Sequence, residues 1–277
     1  MATINCRGRL LDFDSPRVMG IVNLTPDSFY AESRCATFET AMRRVDEVLS
    51  QGADIIDFGA CSTRPGSESV PADEEWSRLK PVLEATRKKH PDAIISIDTF
   101  WSSVAERAVD AGADIINDIS AGTIDGKMFE TVARMQVPYV LMHMRGTPAT
   151  MQQFVNYGNL VADVIAELSV RLRKLVDLGV NDVIVDPGFG FSKTLEQNYE
   201  LFSHLSDFGI FGRPLLVGIS RKSMIYKMLG ITPEQSLNAT TALNAIALRQ
   251  GASILRVHDV AEAVQTVRVC QELRIRQ

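Results

Sequence analysis

Short β-branched runs recur along the chain, each closed by a polar residue and each followed by a stretch of helical character. IVNLT carries Asn23, DIIDFGACSTRPG carries Thr63 and Arg64, and IISIDT carries Asp98. DIINDIS carries Asn117, YVLMHM carries His143, and DVIVDPGFG carries Asp186. LLVGISRKS carries Lys222, and ILRVHD carries Arg256 and His258. Near-continuous apolar strands suit a parallel sheet covered by helices outside and packed within. Strand and helix alternating seven or eight times predict an α/β chain forming a single (β/α)8 TIM barrel. In such a barrel the chemistry gathers at the carboxyl ends of the strands.

The pattern predicts these elements. TINCRGRLLDF holds two extended segments around Arg7-Gly8, a hairpin within residues 1–17 that plugs the amino-terminal mouth. Barrel strands are expected at Val18 to Leu24, Asp54 to Gly59, Ala93 to Asp98 and Asp114 to Ile119. Four more follow at Pro138 to Met144, Asp182 to Asp186, Leu215 to Ile219 and Ser253 to Val257. The first helix starts near Thr37, a candidate cap, with Ala41, Val45, Val48 and Leu49 as its apolar stripe. Later helices are expected from Asp73 to His90, up to Gly112, from Gly126 to Gln136, and over about twenty residues ending near Gly179. One helix spans Thr194 to Phe208, a short one follows Ser223, and a last one closes the chain. Neither a linker nor a low-complexity segment interrupts the series, so residues 1–277 are expected to be one domain.

Bulk properties narrow the function. The 277 residues sit near the ~250 of one such barrel. Twenty-nine Lys and Arg against 34 Asp and Glu leave a net charge of -5, which argues against nucleic-acid or membrane-surface partners. No apolar run approaches the ~18 residues of a membrane span. Arg7, Arg9, Asp12 and Asp14 stand where a signal peptide would need its apolar core, and Cys6, Cys35, Cys61 and Cys270 form no CxxC pair. A cytoplasmic protein with reduced thiols is expected.

The strand-end residues carry candidate chemistry. Asp98, Asn117 and Asp186 follow apolar runs, where a carboxylate is costly unless hydrogen-bonded. Together they would form an acceptor-rich pocket for a flat heterocycle with an amidine-like N–H edge, such as an aminopyrimidinone; alternatively each caps a neighbouring loop. Ser220-Arg221-Lys222-Ser223 turns from strand to helix, where backbone N–H groups attract anions, Ser223 adds a donor and Lys222 reaches into the mouth; an exposed basic turn is the plainer reading. Arg64 in Ser62-Thr63-Arg64-Pro65-Gly66 suits bidentate binding of a phosphate or carboxylate. Arg256 and His258 leave their strand on the same side and make a cationic shelf for a diphosphate. Asn23 offers an oxygen that can join phosphate oxygens around Mg2+. Gly188-Phe189-Gly190-Phe191 lacks dinucleotide spacing, and His143 reads as a satisfied strand-end histidine rather than a metal ligand.

Taken in order, NLTPDSF, STRPG, SIDT, INDIS, LMHMRGTP, DPGFGF, GISRKS and RVHD resemble the dihydropteroate synthase family from about residue 18 to 270. The resemblance implies a transferase of folate biosynthesis. It would join 6-hydroxymethyl-7,8-dihydropterin diphosphate to 4-aminobenzoate with Mg2+, as a homodimer competed by sulfonamides. It implies that Asp98, Asn117, Met142, Asp186, Lys222 and Arg256 meet the pterin, and that Asn23, Thr63, Arg64, Arg256 and His258 meet the diphosphate. Phe29, Arg64, Pro65, Phe191, Lys222 and Ser223 would form the aminobenzoate site, and Asp98, Asp186, Lys222, Arg256 and Asn23 would carry catalysis. The implied chemistry is SN1-like: diphosphate leaves first, and the carboxylates stabilise the pterin methyl cation before the aniline nitrogen attacks.

One departure stands out. Ala31 occupies the place of an aspartate usual in the family's first loop, with Glu32 one place late, and Cys61 replaces a commonly acidic residue. Glu32 or Asp27 is expected to compensate. Two alternatives remain open: a pterin-dependent methyltransferase barrel, and a non-catalytic pterin-binding paralogue.

Overall fold

A computed structural model describes residues 3–24, 34–61 and 70–275 of the chain. The chain opens with β1 (Thr3–Cys6) and β2 (Arg9–Asp12), an antiparallel hairpin turned by Arg7 and Gly8, both at positive φ. Two residues at positive φ match the twist of the flanking strands. Ile4, Cys6 and Leu11 pack against Met19, Ile55, Ile115, Val140, Ile184, Leu216 and Ile254, which all lie near strand starts. The hairpin therefore closes the amino-terminal end of the barrel, as the sequence predicts.

Eight parallel strands follow: β3 (Arg17–Asn23), β4 (Ile55–Gly59), β5 (Ile94–Asp98) and β6 (Ile115–Asp118), then β7 (Tyr139–Met142), β8 (Val183–Asp186), β9 (Leu216–Val217) and β10 (Ile254–Val257). Each pairs with its sequence neighbour, β10 pairs with both β3 and β9, and a bridge from Val185 to Leu215 completes the ring. Aspartates just before the strands tie its lower rim. Asp54 accepts from Val18 N at 2.8 Å, Asp114 from Ile95 N at 2.8 Å and Asp182 from Asn5 N at 3.0 Å.

The helical layer comprises α1 (Arg34–Ser50), α2 (Ala72–Lys89), α3 (Ser102–Asp110), α4 (Met128–Met135) and α5 (Leu160–Asp177). It continues with α6 (Leu195–Ser203), α7 (Ser223–Leu229), α8 (Leu237–Arg249) and α9 (Val260–Ile275). Three differences from the sequence reading have local causes. Helix α1 begins at Arg34, so Thr37 lies inside it rather than capping it. The expected helix from Thr194 is capped by Thr194 and Gln197 but stops at Ser203, and a tighter 3-10 stretch carries Leu205–Phe211. Leu201, Leu205 and Phe208 are all buried at helical spacing, so the apolar stripe continues past the change of helix. The hydrophobic pattern does not predict helix α8, because Thr240 and Asn244 occupy its buried face and break the apolar stripe.

Candidate active site

Side chains alternate along a strand, so every second residue of each barrel strand shares its inward face. Met19, Ile55, Ile94, Ile115, Val140, Ile184, Leu216 and Ile254 fill the lower layer against the hairpin. Two residues higher, the same face carries Ile21, Asp57, Ser96, Asn117, Met142, Asp186, Gly218 and Arg256. The barrel interior thus turns from wholly apolar to mostly polar within one step of the pleat. Asn23, Gly59 and Asp98 stand one step higher on their strands, paired in register Asn23 with Gly59 and Gly59 with Asp98.

Asp98 is paired with Asn117 in register, as Met142 is with Asp186, which brings the predicted pterin residues onto adjoining strands. All four are buried. Arg256 crosses the mouth from β10, donating from Nε to Asp57 Oδ2 at 2.7 Å and from Nη2 to Asp98 Oδ2 at 2.7 Å. Asn117 Nδ2 lies 3.3 and 3.4 Å from the two oxygens of the same Asp57. Asp57 was not among the sequence candidates; its signal was a carboxylate inside the apolar run IIDFG.

On the opposite wall, Asp186 Oδ1 accepts from Gly188 N at 2.7 Å. Gly188 has φ +75°, and a Cβ there would lie 1.9 Å from His143 O, so no side chain fits this turn. Lys222 donates to Phe189 O, and its ammonium stands 4.7 Å over the Phe191 ring. A Cβ on Gly218 would be 3.8 Å from Arg256 Cβ and 4.0 Å from Lys222 Nζ, so both cations lean over that glycine. Ser223, half-buried, opens α7 beside Lys222. Arg221 instead turns away and grips Asp259 with two bonds of 2.6 and 3.0 Å. Ser220 Oγ lies 3.2 Å from His258 Nδ1, and His258 N donates to that oxygen at 3.2 Å.

Burial sets the electrostatics. It raises Asp98 to about 7 against the pull of Arg256, and it raises Asp186 against the pull of Lys222. It lowers Lys222 to about 8, with Asp186 drawing it back up, and lowers His258 to about 4 with help from Arg256. Burial also opposes charge on Arg256, but Asp57 and Asp98 more than restore it. Three acids and two cations therefore share one cavity with their charges largely balanced, a setting in which an incoming ligand exchanges partners rather than meeting a bare charge.

Phe29, Thr63, Arg64 and Pro65, together with Asp27, Ala31 and Glu32, lie outside the described residues. Among the described residues no three His, Cys, Asp or Glu side chains gather closely enough to hold a metal by themselves. A Cβ on Gly59 would stand 3.4 Å from Asn23 Oδ1 and 3.8 Å from Asp98 Oδ2, so these two hard oxygens flank one space.

Residues 19–258 match the family model described as pterin binding enzyme. The dihydropteroate synthase of Escherichia coli K12 is 40% identical over 267 residues, 96% of this chain and 94% of that protein. The Yersinia pestis dihydropteroate synthase, solved as a sulfonamide complex, superposes with a TM-score of 0.92 at 40% identity over 99% of each chain. The Xanthomonas albilineans dihydropteroate synthase, solved with 4-aminobenzoic acid, gives 0.91 at 39% identity over 98% of each. The chain belongs to the pterin-binding enzyme family, and within it to the dihydropteroate synthases.

Proposed function

We propose that the cavity at the carboxyl ends of the strands joins 6-hydroxymethyl-7,8-dihydropterin diphosphate to 4-aminobenzoate, with the residues below in the stated roles. The observation that carries this reading is the meeting of buried Asp98, Asn117 and Asp186 with Arg256 and Lys222 in one mouth. Asp98, Asn117 and Asp186 accept the N–H edge of the pterin, Met142 lines its slot, and Lys222 donates to it. Arg256 lies against the ring and turns its free donors to the diphosphate, joined by His258 and Asn23, with Thr63 and Arg64 from the second loop.

The C–O bond between the pterin methylene and the diphosphate breaks with both electrons leaving on oxygen. The carboxylates of Asp98 and Asp186 stabilise the cation left on the methylene, conjugated with the ring, by fixed negative charge in a dry site. The aniline lone pair then forms the C–N bond, and the nitrogen releases a proton to solvent or to the departing diphosphate. Phe191, Lys222 and Ser223 wall the aminobenzoate, with Ser223 donating to its carboxylate and Phe29, Arg64 and Pro65 completing the enclosure. Asn23 is the protein oxygen that would hold Mg2+; one amide and a nearby carboxylate are too few for an octahedron and suit a cation that keeps waters and phosphate oxygens. When bound, Mg2+ would neutralise charge developing on the leaving diphosphate.

Sulfonamides would occupy the aminobenzoate position. The chain is proposed to act as one cytoplasmic domain in a homodimer. Exposed Ile246 on α8 and Val269 and Leu273 on α9, two helices that pack together, support pairing through that face. No helix among the described residues is long and apolar enough to cross a membrane.

Calorimetry with pterin diphosphate and then aminobenzoate, coupled to detection of released diphosphate, tests the reading. Lys222→Ala should keep the fold and lose about 100-fold or more in turnover, the scale of removing a group aimed at reacting charge. Heat without product would point to a binding paralogue, and methyl transfer without diphosphate release to the methyltransferase alternative.

A further inference from the structure

Behind the wall formed by Asp186 and Lys222 lies a second set of ionisable groups that the reaction does not touch. Lys193 follows the Gly188–Phe191 turn and is 3% exposed. Its Nζ lies 3.0 Å from each of Gly188 O, Phe191 O and His143 Nδ1. An ammonium has three hydrogens and no acceptor, so all three are used and His143 Nδ1 must offer its lone pair. The His143 proton then sits on Nε2, 3.1 Å from Glu167 Oε2. Burial and the neighbouring Lys193 hold His143 down at about 4, so it is neutral as this arrangement requires.

The contacts continue to the surface and return. Glu167 Oε1 accepts from Arg145 Nε at 2.9 Å, the Arg145 guanidinium lies 3.9 Å over the Tyr157 ring, and Tyr157 OH donates to Ser192 O at 2.9 Å. The turn is thereby held from below at Gly188 and Phe191 and from outside at Ser192. Burial lowers Lys193 to about 7 while Asp186 pulls it back, so the amine is retained at an energetic cost.

What the turn presents to the cavity gives that cost a purpose. Its Phe189 carbonyl receives Lys222 Nζ, and its Phe191 ring lies beneath the same ammonium. We infer that Lys193 is a positioning residue for the aminobenzoate end of the site: its three bonds fix the turn, and the turn fixes Lys222 and Phe191. The inference rests on the assignment of those two residues to aminobenzoate.

Lys193→Met keeps the stem and removes the donors. Steady-state kinetics well below the melting temperature should show the KM for aminobenzoate raised about tenfold or more. The Kd of pterin diphosphate should rise clearly less than that KM, because the turn reaches that ligand only through Lys222 and Asp186 while Asp98, Asn117 and Met142 hold it from other strands. An unchanged KM, or equal weakening of both ligands, overturns the proposal. Lys222→Ala measured alongside separates two failures. If it leaves the aminobenzoate KM unaltered, the site assignment itself is wrong; if it raises that KM while Lys193→Met does not, only the positioning role falls. Should Lys193→Met not fold, Tyr157→Phe removes the outer support of the turn without touching the cavity. It should raise the same KM about threefold with a smaller rise in the Kd of pterin diphosphate, and no rise in KM overturns the proposal.

Discussion

Asp57 holds Arg256 from beneath: Nε lies 2.7 Å from Asp57 Oδ2, and the same guanidinium spans onward to Asp98. The two carboxylates differ in what else they can do. Asp57 is fully buried and also receives Asn117, whereas Asp98 stands at the mouth where a ligand arrives. A guanidinium resembles the amidine-like edge of an aminopyrimidinone, so Arg256 occupies Asp98 with the same kind of donors that a pterin would bring. Under the proposed assignment, binding exchanges one set of N–H donors for another, while Asp57 keeps Arg256 in place to face the diphosphate.

Asp57→Asn should therefore weaken pterin diphosphate binding. The amide keeps the shape but loses the charge, and Arg256 shifts its full weight onto Asp98, in competition with the ligand. Hydrogen bonds to charged groups contribute about 1.5–3 kcal/mol, which corresponds to about a 10- to 100-fold rise in Kd. Calorimetry on the folded variant measures this directly, and wild-type affinity would remove Asp57 from the account.

The pH dependence of kcat/KM follows from two groups. In the proposed site Asp98 must be ionised to accept the pterin N–H edge, and burial raises it to about 7 despite Arg256. In the same proposal Lys222 acts as a cation, and burial lowers it to about 8 despite Asp186. Activity should rise through about pH 7 and fall above about pH 8, a narrow bell whose acid limb follows Asp98 and whose alkaline limb follows Lys222. Residual activity of Lys222→Met should lose the alkaline limb. A flat profile over roughly pH 6 to 9 would contradict the protonation states assigned here.

The sequence made the strand ends legible because barrel geometry forces chemistry to where an apolar run stops. Asn23, Asp98, Asn117, Asp186 and Arg256 all fell at such points, and the structure places them in or at one mouth. Asp57 sits two residues before its strand ends, so a rule that looks only at run termini passes over it. Lys193 is harder still. Between Ser192 and Thr194 it looks like an exposed loop lysine, and nothing local shows that three acceptors from Gly188, Phe191 and His143 surround it. Helix α8 was hidden for the opposite reason, since Thr240 and Asn244 place polar atoms on its buried face.

Glu75 gives a stability prediction that is independent of catalysis. It lies in the first turn of α2, fully buried, and among the described residues neither carboxyl oxygen has a hydrogen bond of good geometry, although the Thr99 hydroxyl acts on it. Burial raises it from an ordinary 4.5 to about 7, with Thr99 lowering it and nearby Asp98 raising it. The unfolded chain releases this proton above about pH 4.5 while the folded chain keeps it to about 7, so stability falls as pH rises across that window. At 1.36 kcal/mol per unit the loss is about 3 kcal/mol in order of magnitude. Glu75→Gln has the same shape and no titration. It should be more stable than wild type by roughly 1–3 kcal/mol near pH 8, raising Tm by about 2–4 °C per kcal/mol. Near pH 5, where the folded carboxyl is already neutral, the advantage should largely disappear. Differential scanning calorimetry at the two pH values reads both numbers. Equal melting temperatures at pH 8 would mean that the carboxyl finds a partner in solution, and the argument from its isolation would fail.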